Sequence, residues 1–256
     1  MLIHYEVKNR IASIIINRPE KRNALNSELV IALIKAFKKA EVDEDVKIIV
    51  LKANGEVFSA GADLDYLKKL QANSFEDNLE DSNLLKKLFL EIYHQPKIVI
   101  AQVAGHAIAG GCGLASVCDF IFTTPEAKYG YTEVKIGFIP AIVSLFLIRK
   151  VGESLAKELL LTGDLISADK AKNIGLVNYI SATSDLEKDV LQFAEKLCKT
   201  TSSQSIALTK QLINQVQDKS LSEALDFAAE MNAHARATND CKKGIQAFLN
   251  KEKINW

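Results

Sequence analysis

Two short runs, VKIIVLKA (46–53) and KIVIAQVAG (97–105), most constrain the fold of this chain. Both are apolar and rich in β-branched residues, so each reads as a strand buried on both faces. A glycine-bearing loop follows each one, FSAGAD (58–63) and AIAGG (107–111). A segment of helical character follows each loop, LDYLKKL (64–70) and CGLASVC (112–118). Strands that alternate with helices in this way pair largely in parallel, which places the chain in the α/β class.

The remaining segments fit that frame. LIHYEVKN (2–9) and RIASIIINR (10–18) read as two strands, and Pro19 ends the pattern. In NSELVIALIKAFKKAEVD, Asn26 is an N-cap, and Leu29, Leu33, Phe37 and Ala40 fall at helical spacing. The acidic, turn-rich ANSFEDNLEDSN (72–83) reads as an exposed loop or the lead-in to a helix. LLKKLFLEIYH (84–94) reads as a helix closed by Pro96. FIFTTPEAKYGYTEVKIGFIP (120–140) reads as a strand and then irregular loop. Beyond Ile142 the pattern is helical, with one strand at GLVNYI (175–180). No sequence repeat, low-complexity tract or Gly/Ser linker divides the chain. The expected organisation is a core over 1–195 and a helical C-terminal region over 196–256.

Composition narrows the function. Lys+Arg and Asp+Glu balance at 32 each, so the chain has no global attraction to nucleic acid or to an anionic membrane. The first residues alternate and carry charge, unlike a signal peptide, and no apolar run approaches a membrane span. Cys112, Cys118, Cys198 and Cys241 form no CxxC pair and have no histidine at metal-ligand spacing. They read as reduced, buried thiols of a cytoplasmic protein, and no metal site is expected.

The chemistry lies at the two glycine loops. A strand-loop-helix junction leaves N–H groups unpaired at the helix start, and glycine lets an acceptor approach them. The helix dipole adds positive potential there. Neither junction has the spacing of a dinucleotide or nucleoside-triphosphate loop. Two junctions on neighbouring parallel strands would aim two N–H groups at one oxygen, a device of acyl-transfer and enolate chemistry. Taken singly, each cluster is weak evidence, since Gly-Gly after a strand is more often only a tight turn or close helix–strand packing.

Five segments then converge on one resemblance: NRPEKRNAL (17–25), FSAGADL (58–64), AGHAIAGGCGLASVCD (104–119), YGYTEVKIGFIPA (129–141) and LLLTGDLISADKAKNIGLVN (159–178). In this order they resemble the enoyl-CoA hydratase/isomerase (crotonase) superfamily over nearly the whole chain. SAGADLDYL, EVKIGFIPAIVS and AFLNKEKINW look most like its bacterial 3-methylglutaconyl-CoA hydratase-like branch. The resemblance implies an α/β spiral of ββα repeats, a helical C-terminal region that trimerises, and an acyl-CoA thioester as ligand. Ala62 and Gly110 would supply the two N–H groups of an oxyanion hole. Ala60, Ala62, Asp63, Leu64, Asp65, Gly110 and Arg22 would contact substrate or CoA, and Glu133 stands where the family places a catalytic carboxylate. Many hydratases of the family carry a second glutamate where this chain has Gly113.

The resemblance therefore implies a hydratase of enoyl-CoA with a single glutamate and a branched or acidic acyl group. A Δ3-Δ2 enoyl-CoA isomerase and a non-catalytic CoA-binding protein remain as alternatives. No cofactor is expected beyond the CoA of the substrate, and the expected assembly is a trimer or dimer of trimers. Other residues have plainer readings. Asp119 reads as a structural cap, and Cys112 as packing. Tyr129 and Tyr131 either fill the core or line the acyl pocket, and Lys21 and Arg22 either meet CoA phosphates or form an exposed basic turn.

Overall fold

The computed structural model describes all 256 residues except the side chain of Leu64. The first six strands are β1 (Ile3–Lys8), β2 (Ile11–Ile16), β3 (Ile48–Ala53), β4 (Val57–Ser59), β5 (Ile98–Val103) and β6 (His106–Ile108). They are followed by β7 (Phe120–Thr123), β8 (Lys128–Gly130), β9 (Ile166–Ser167) and β10 (Tyr179–Ile180). The larger sheet has the order β1-β2-β3-β5-β7-β10, and the smaller β4-β6-β8-β9. Pairing is parallel from β2 to β10 and from β4 to β8, and antiparallel at β1–β2 and β8–β9. Three consecutive units, β3/β4, β5/β6 and β7/β8, each put one strand in each sheet. The structure thus repeats where the sequence does not.

Burial of β3 and β5 follows the period of two along a strand. Ile49, Leu51, Val99, Ala101 and Val103 enter the main core. Helix α1 (Ser27–Val42) packs there against α3 (Phe75–Tyr93). The alternate residues Ile48, Val50, Ile98 and Ile100 form a second cluster with Leu186, Val190, Ala194 and Cys198 of α8 (Leu186–Thr200). Helix α8 is therefore a layer of the core, because it covers the only remaining apolar face of these strands. The expected boundary at residue 195 falls inside this helix, and the C-terminal helical region begins beyond Thr200.

Helix α3 also begins earlier than the composition suggested. Ser74 and Asp77 form a reciprocal capping box, which starts the helix at Phe75. The acidic stretch is the first two turns of a long helix. Helix α2 (Leu64–Leu70) precedes it, and α4 (Gly110–Ser116) and α5 (Ala141–Val151) follow. Three lysines close helix ends, where the dipole favours a cation. Lys97 donates to Ala40 and Asp43 carbonyls, Lys47 to those of Cys198 and Thr201, and Lys150 to those of Ser116 and Cys118. Asp119 is structural, accepting from Val99 N–H at 2.7 Å and pairing with Lys210. No helix is long and apolar enough to cross a membrane, among the described residues.

Candidate active site

The topology places β4 beside β6, so the loops that leave them lie side by side. A Cβ added to Gly110 would lie 4.0 Å from Gly61 Cα. The first loop is held by the NRPEKRNAL turn. Ala60 N–H donates to Arg22 O at 3.0 Å, Leu25 N–H to Gly61 O at 2.6 Å, and Asp63 N–H to Leu25 O at 3.0 Å. Asn23 is fully buried and fixes that turn, donating to Asn54 O and Val57 O and accepting from Arg18 N–H. With its neighbours paired to one side, Ala62 N–H has no acceptor among the described residues.

Gly110 N–H is equally free. It opens α4, where no preceding turn supplies a carbonyl. The residue before it, Ala109, donates its N–H to Gly130 O at 2.7 Å. Gly111 meets the first loop closely, since an added Cβ would lie 2.4 Å from Ser59 O. Both donors face a cavity of about 450 Å³, whose lining includes Ala60, Ala62, Gly110 and Glu133.

Glu133 begins a short 3-10 turn (Glu133–Ile136). Its Oε2 is buried and has no hydrogen-bond partner among the described residues. Burial pushes its pKa above the usual glutamate value, against a smaller downward pull from its own backbone N–H. The site thus joins two free N–H donors and one acid of raised pKa, the elements of enolate chemistry on a thioester.

Asp63, Asp65 and Arg22 do not line this cavity. Asp63 is buried, pairs with Arg18 at 2.5 Å and caps α2 by accepting from Asp65 N–H. Burial pushes its pKa up, but the Arg18 hydrogen bond and the cap outweigh this and hold it low. It fastens the first loop to the NRPEKRNAL turn. Asp65 is exposed and pairs with Lys21 at 2.8 Å, while Arg22 is an exposed residue in the left-handed region. The expected contact of Leu64 lies outside the described residues.

Gly113 has a packing reason. A Cβ there would lie 2.2 Å from Val143 Cγ1 and 3.3 Å from Phe89 Cε1. Its φ is not positive. The space a second glutamate would need is filled by Val143 of α5.

Cys112 is fully buried, and burial pushes its thiol up to about 12, so it packs as a thiol. Cys241 alone of the four cysteines is partly exposed. Tyr129 and Tyr131 are fully buried, and Tyr131 Oη lies 2.8 Å from Ser116 Oγ. No group of three or more His, Cys, Asp or Glu is placed to hold a metal among the described residues.

One cavity residue escaped the sequence reading. Asp81 lines the wall from α3, on the stripe that continues through Leu84, Leu85, Leu88 and Phe89. Its signal was a carboxylate at the i, i+3, i+4 spacing of an apolar face.

Residues 6–256 match the enoyl-CoA hydratase/isomerase family. This chain belongs to that family. The mitochondrial enoyl-CoA hydratase of Pongo abelii is 38% identical over 249 residues, 97% of this chain and 84% of that one. The crotonyl-CoA hydratase of Syntrophomonas wolfei is 34% identical over 253 residues, 98% and 96% of the two chains. The crystal structure of an enoyl-CoA hydratase from Mycobacterium smegmatis superposes with a TM-score of 0.93 at 30% identity, covering 100% of this chain and 99% of that one. The crotonase fold and the family membership expected from the five segments therefore hold. The 3-methylglutaconyl-CoA branch is not singled out by these relatives.

Proposed function

We propose that this protein adds water across the 2,3 double bond of an enoyl-CoA thioester. The observation that supports this most is the convergence of two free N–H groups and the unpartnered Glu133 carboxyl in one cavity. Its relatives named as hydratases give the reading independent support. The thioester oxygen accepts from Ala62 and Gly110, which draws electron density from C3 and stabilises an enolate. Ionised Glu133 takes a proton from water as the oxygen bonds to C3. The same carboxyl then delivers that proton to C2, and the enolate collapses to the saturated thioester. The atoms balance with one carboxylate, and the route calls for no cofactor beyond substrate CoA.

The missing glutamate at Gly113 favours a second reading. One carboxyl also suffices to carry a proton from C4 to C2, the Δ3-Δ2 isomerisation. The unpartnered Glu133 Oε2 in the cavity weighs against a purely CoA-binding role. Purified protein mixed with crotonyl-CoA separates these readings: loss of the conjugated-enoyl absorbance supports hydration. Appearance of that absorbance from a 3-enoyl-CoA, with crotonyl-CoA untouched, supports isomerisation instead.

The pH dependence follows from Glu133. The base must be ionised, so kcat/KM falls as pH drops through its pKa. Because burial raises that pKa, the acid limb begins above the usual glutamate range.

The trimer or dimer of trimers remains our reading of the tail. Leu221, Leu225, Phe248 and Leu249 are exposed on α10 (Leu221–Ala237) and α11 (Asn239–Leu249). Met231, on the same helix as Leu221 and Leu225, is buried within the chain. Light scattering at micromolar concentration tests this, and a monomer mass would refute it.

A further inference from the structure

The lining of the acyl cavity is apolar along α2 and α5, with Leu67, Leu70, Ile142 and Val143. Asp81 breaks that character on α3. It is half-buried and has no ion pair among the described residues, and Ser27 stands at the start of α1. Burial raises the pKa of Asp81, opposed by the Ser27 hydrogen bond. Ser27 lines the same cavity.

Asp81 does not replace the missing glutamate. The position at Gly113 faces Phe89. Asp81 precedes Phe89 by eight residues, about 12 Å along the helix axis. Leu84 and Leu85 lie between those levels and line the cavity. The carboxyl therefore belongs to the wall beside the acyl chain.

We propose that Asp81 and Ser27 form a polar subsite that selects enoyl-CoA thioesters whose acyl chain bears a hydroxyl group. This rests on the acyl-CoA reading of the cavity given above. A purely apolar chain would strip water from the half-buried carboxyl and offer it no hydrogen bond in return, which is costly. A chain ending in a carboxylate would meet like charge. A hydroxyl donates to Asp81 and accepts from Ser27, so both groups are satisfied at once. The subsite thus argues against the acidic acyl group expected from the 3-methylglutaconyl-CoA resemblance.

The test separates binding from turnover. Calorimetry measures Kd for saturated acyl-CoA thioesters of six and eight carbons, each ending in methyl, hydroxyl or carboxylate. The expected order in the intact protein is hydroxyl tightest and carboxylate weakest, with about tenfold or more between them at one of the two lengths. Asp81→Leu should reverse the order of methyl and hydroxyl. Asp81→Asn should keep hydroxyl binding and relieve the discrimination against carboxylate. Unchanged Kd ratios in Asp81→Leu at both lengths would overturn the proposal. Hydration of crotonyl-CoA by the same preparation reports on the hydratase reading separately. Its absence with the Kd order intact sinks that reading alone, and its presence with no Kd order sinks the subsite alone.

Discussion

In the loop after β4, the residue before the free N–H is Gly61, at φ +88°; in the loop after β6 it is Ala109, at φ +51°. Both loops turn through positive φ immediately before their donor, Ala62 in one and Gly110 in the other. One uses the residue that tolerates this, and the other a residue that does not. Ala109 has ψ −126°, far from the left-handed helical region, so it holds about 1–3 kcal/mol of backbone strain. The reason lies between the loops. A Cβ on Gly61 would come within 2.7 Å of Ala109 Cβ and 3.0 Å of Ile108 O. The gap has room for one methyl group, and Ala109 supplies it. Strain in the second loop is thus the counterpart of tight contact with the first.

The largest expected effect asks whether the two donors are equivalent. Gly110→Pro deletes one N–H at the first position of α4, where helices accept proline. It should lower kcat by roughly 10²–10³-fold with the circular dichroism spectrum kept. Unchanged turnover would mean that Ala62 works alone.

Gly61→Ala probes the contact. It adds overpacking of about 1–3 kcal/mol to strained φ, so chemical denaturation should show a clear loss of stability. Combining it with Ala109→Gly returns the gap to one methyl. A double-mutant cycle should then show coupling of at least about 0.5 kcal/mol, and strict additivity would deny that the methyl positions compete.

Gly113→Glu tests the neighbouring turn of α4. The glutamate meets Val143, so stability should fall by about 1–3 kcal/mol without a gain in hydration. Val143→Ala in the same chain should restore part of the stability. A stable, faster single variant would show that the position is simply vacant.

Ala109→Gly alone is the smallest effect. It releases backbone strain but adds unfolded-state freedom worth about 0.4–1 kcal/mol. A modest rise in Tm is expected, and a large fall would remove the strain from the account.

The long elements and the two junctions were legible in the sequence, because β3 and β5 are continuous apolar, β-branched runs, α1 has helical spacing and Asn26 is a distinct cap. It did not carry strands β4, β6 and β8, since three residues are too few to display an alternation. The early start of α3 was hidden by acidic composition, although the Ser74–Asp77 box marks it. Ala60, Ala62, Gly110 and Glu133 were reached through motif resemblance and share one cavity. The pairing of Asp63 with Arg18, which lies 45 positions away in the chain, was not legible locally. Val143 against Gly113, and Ser27 and Asp81 on one cavity wall, are likewise tertiary arrangements that no local pattern encodes.

The central claim is that Glu133 carries every proton transfer between the two ends of the double bond. Glu133→Gln keeps the size of the side chain and removes the base. Exchange of the C2 proton of a saturated acyl-CoA with solvent deuterium, followed by NMR, reads that step without needing net hydration. The account predicts a loss of about 10²–10⁴-fold in exchange, with acyl-CoA affinity largely kept. Exchange at the unsubstituted rate in a folded Glu133→Gln protein would contradict it and place the base elsewhere in the cavity.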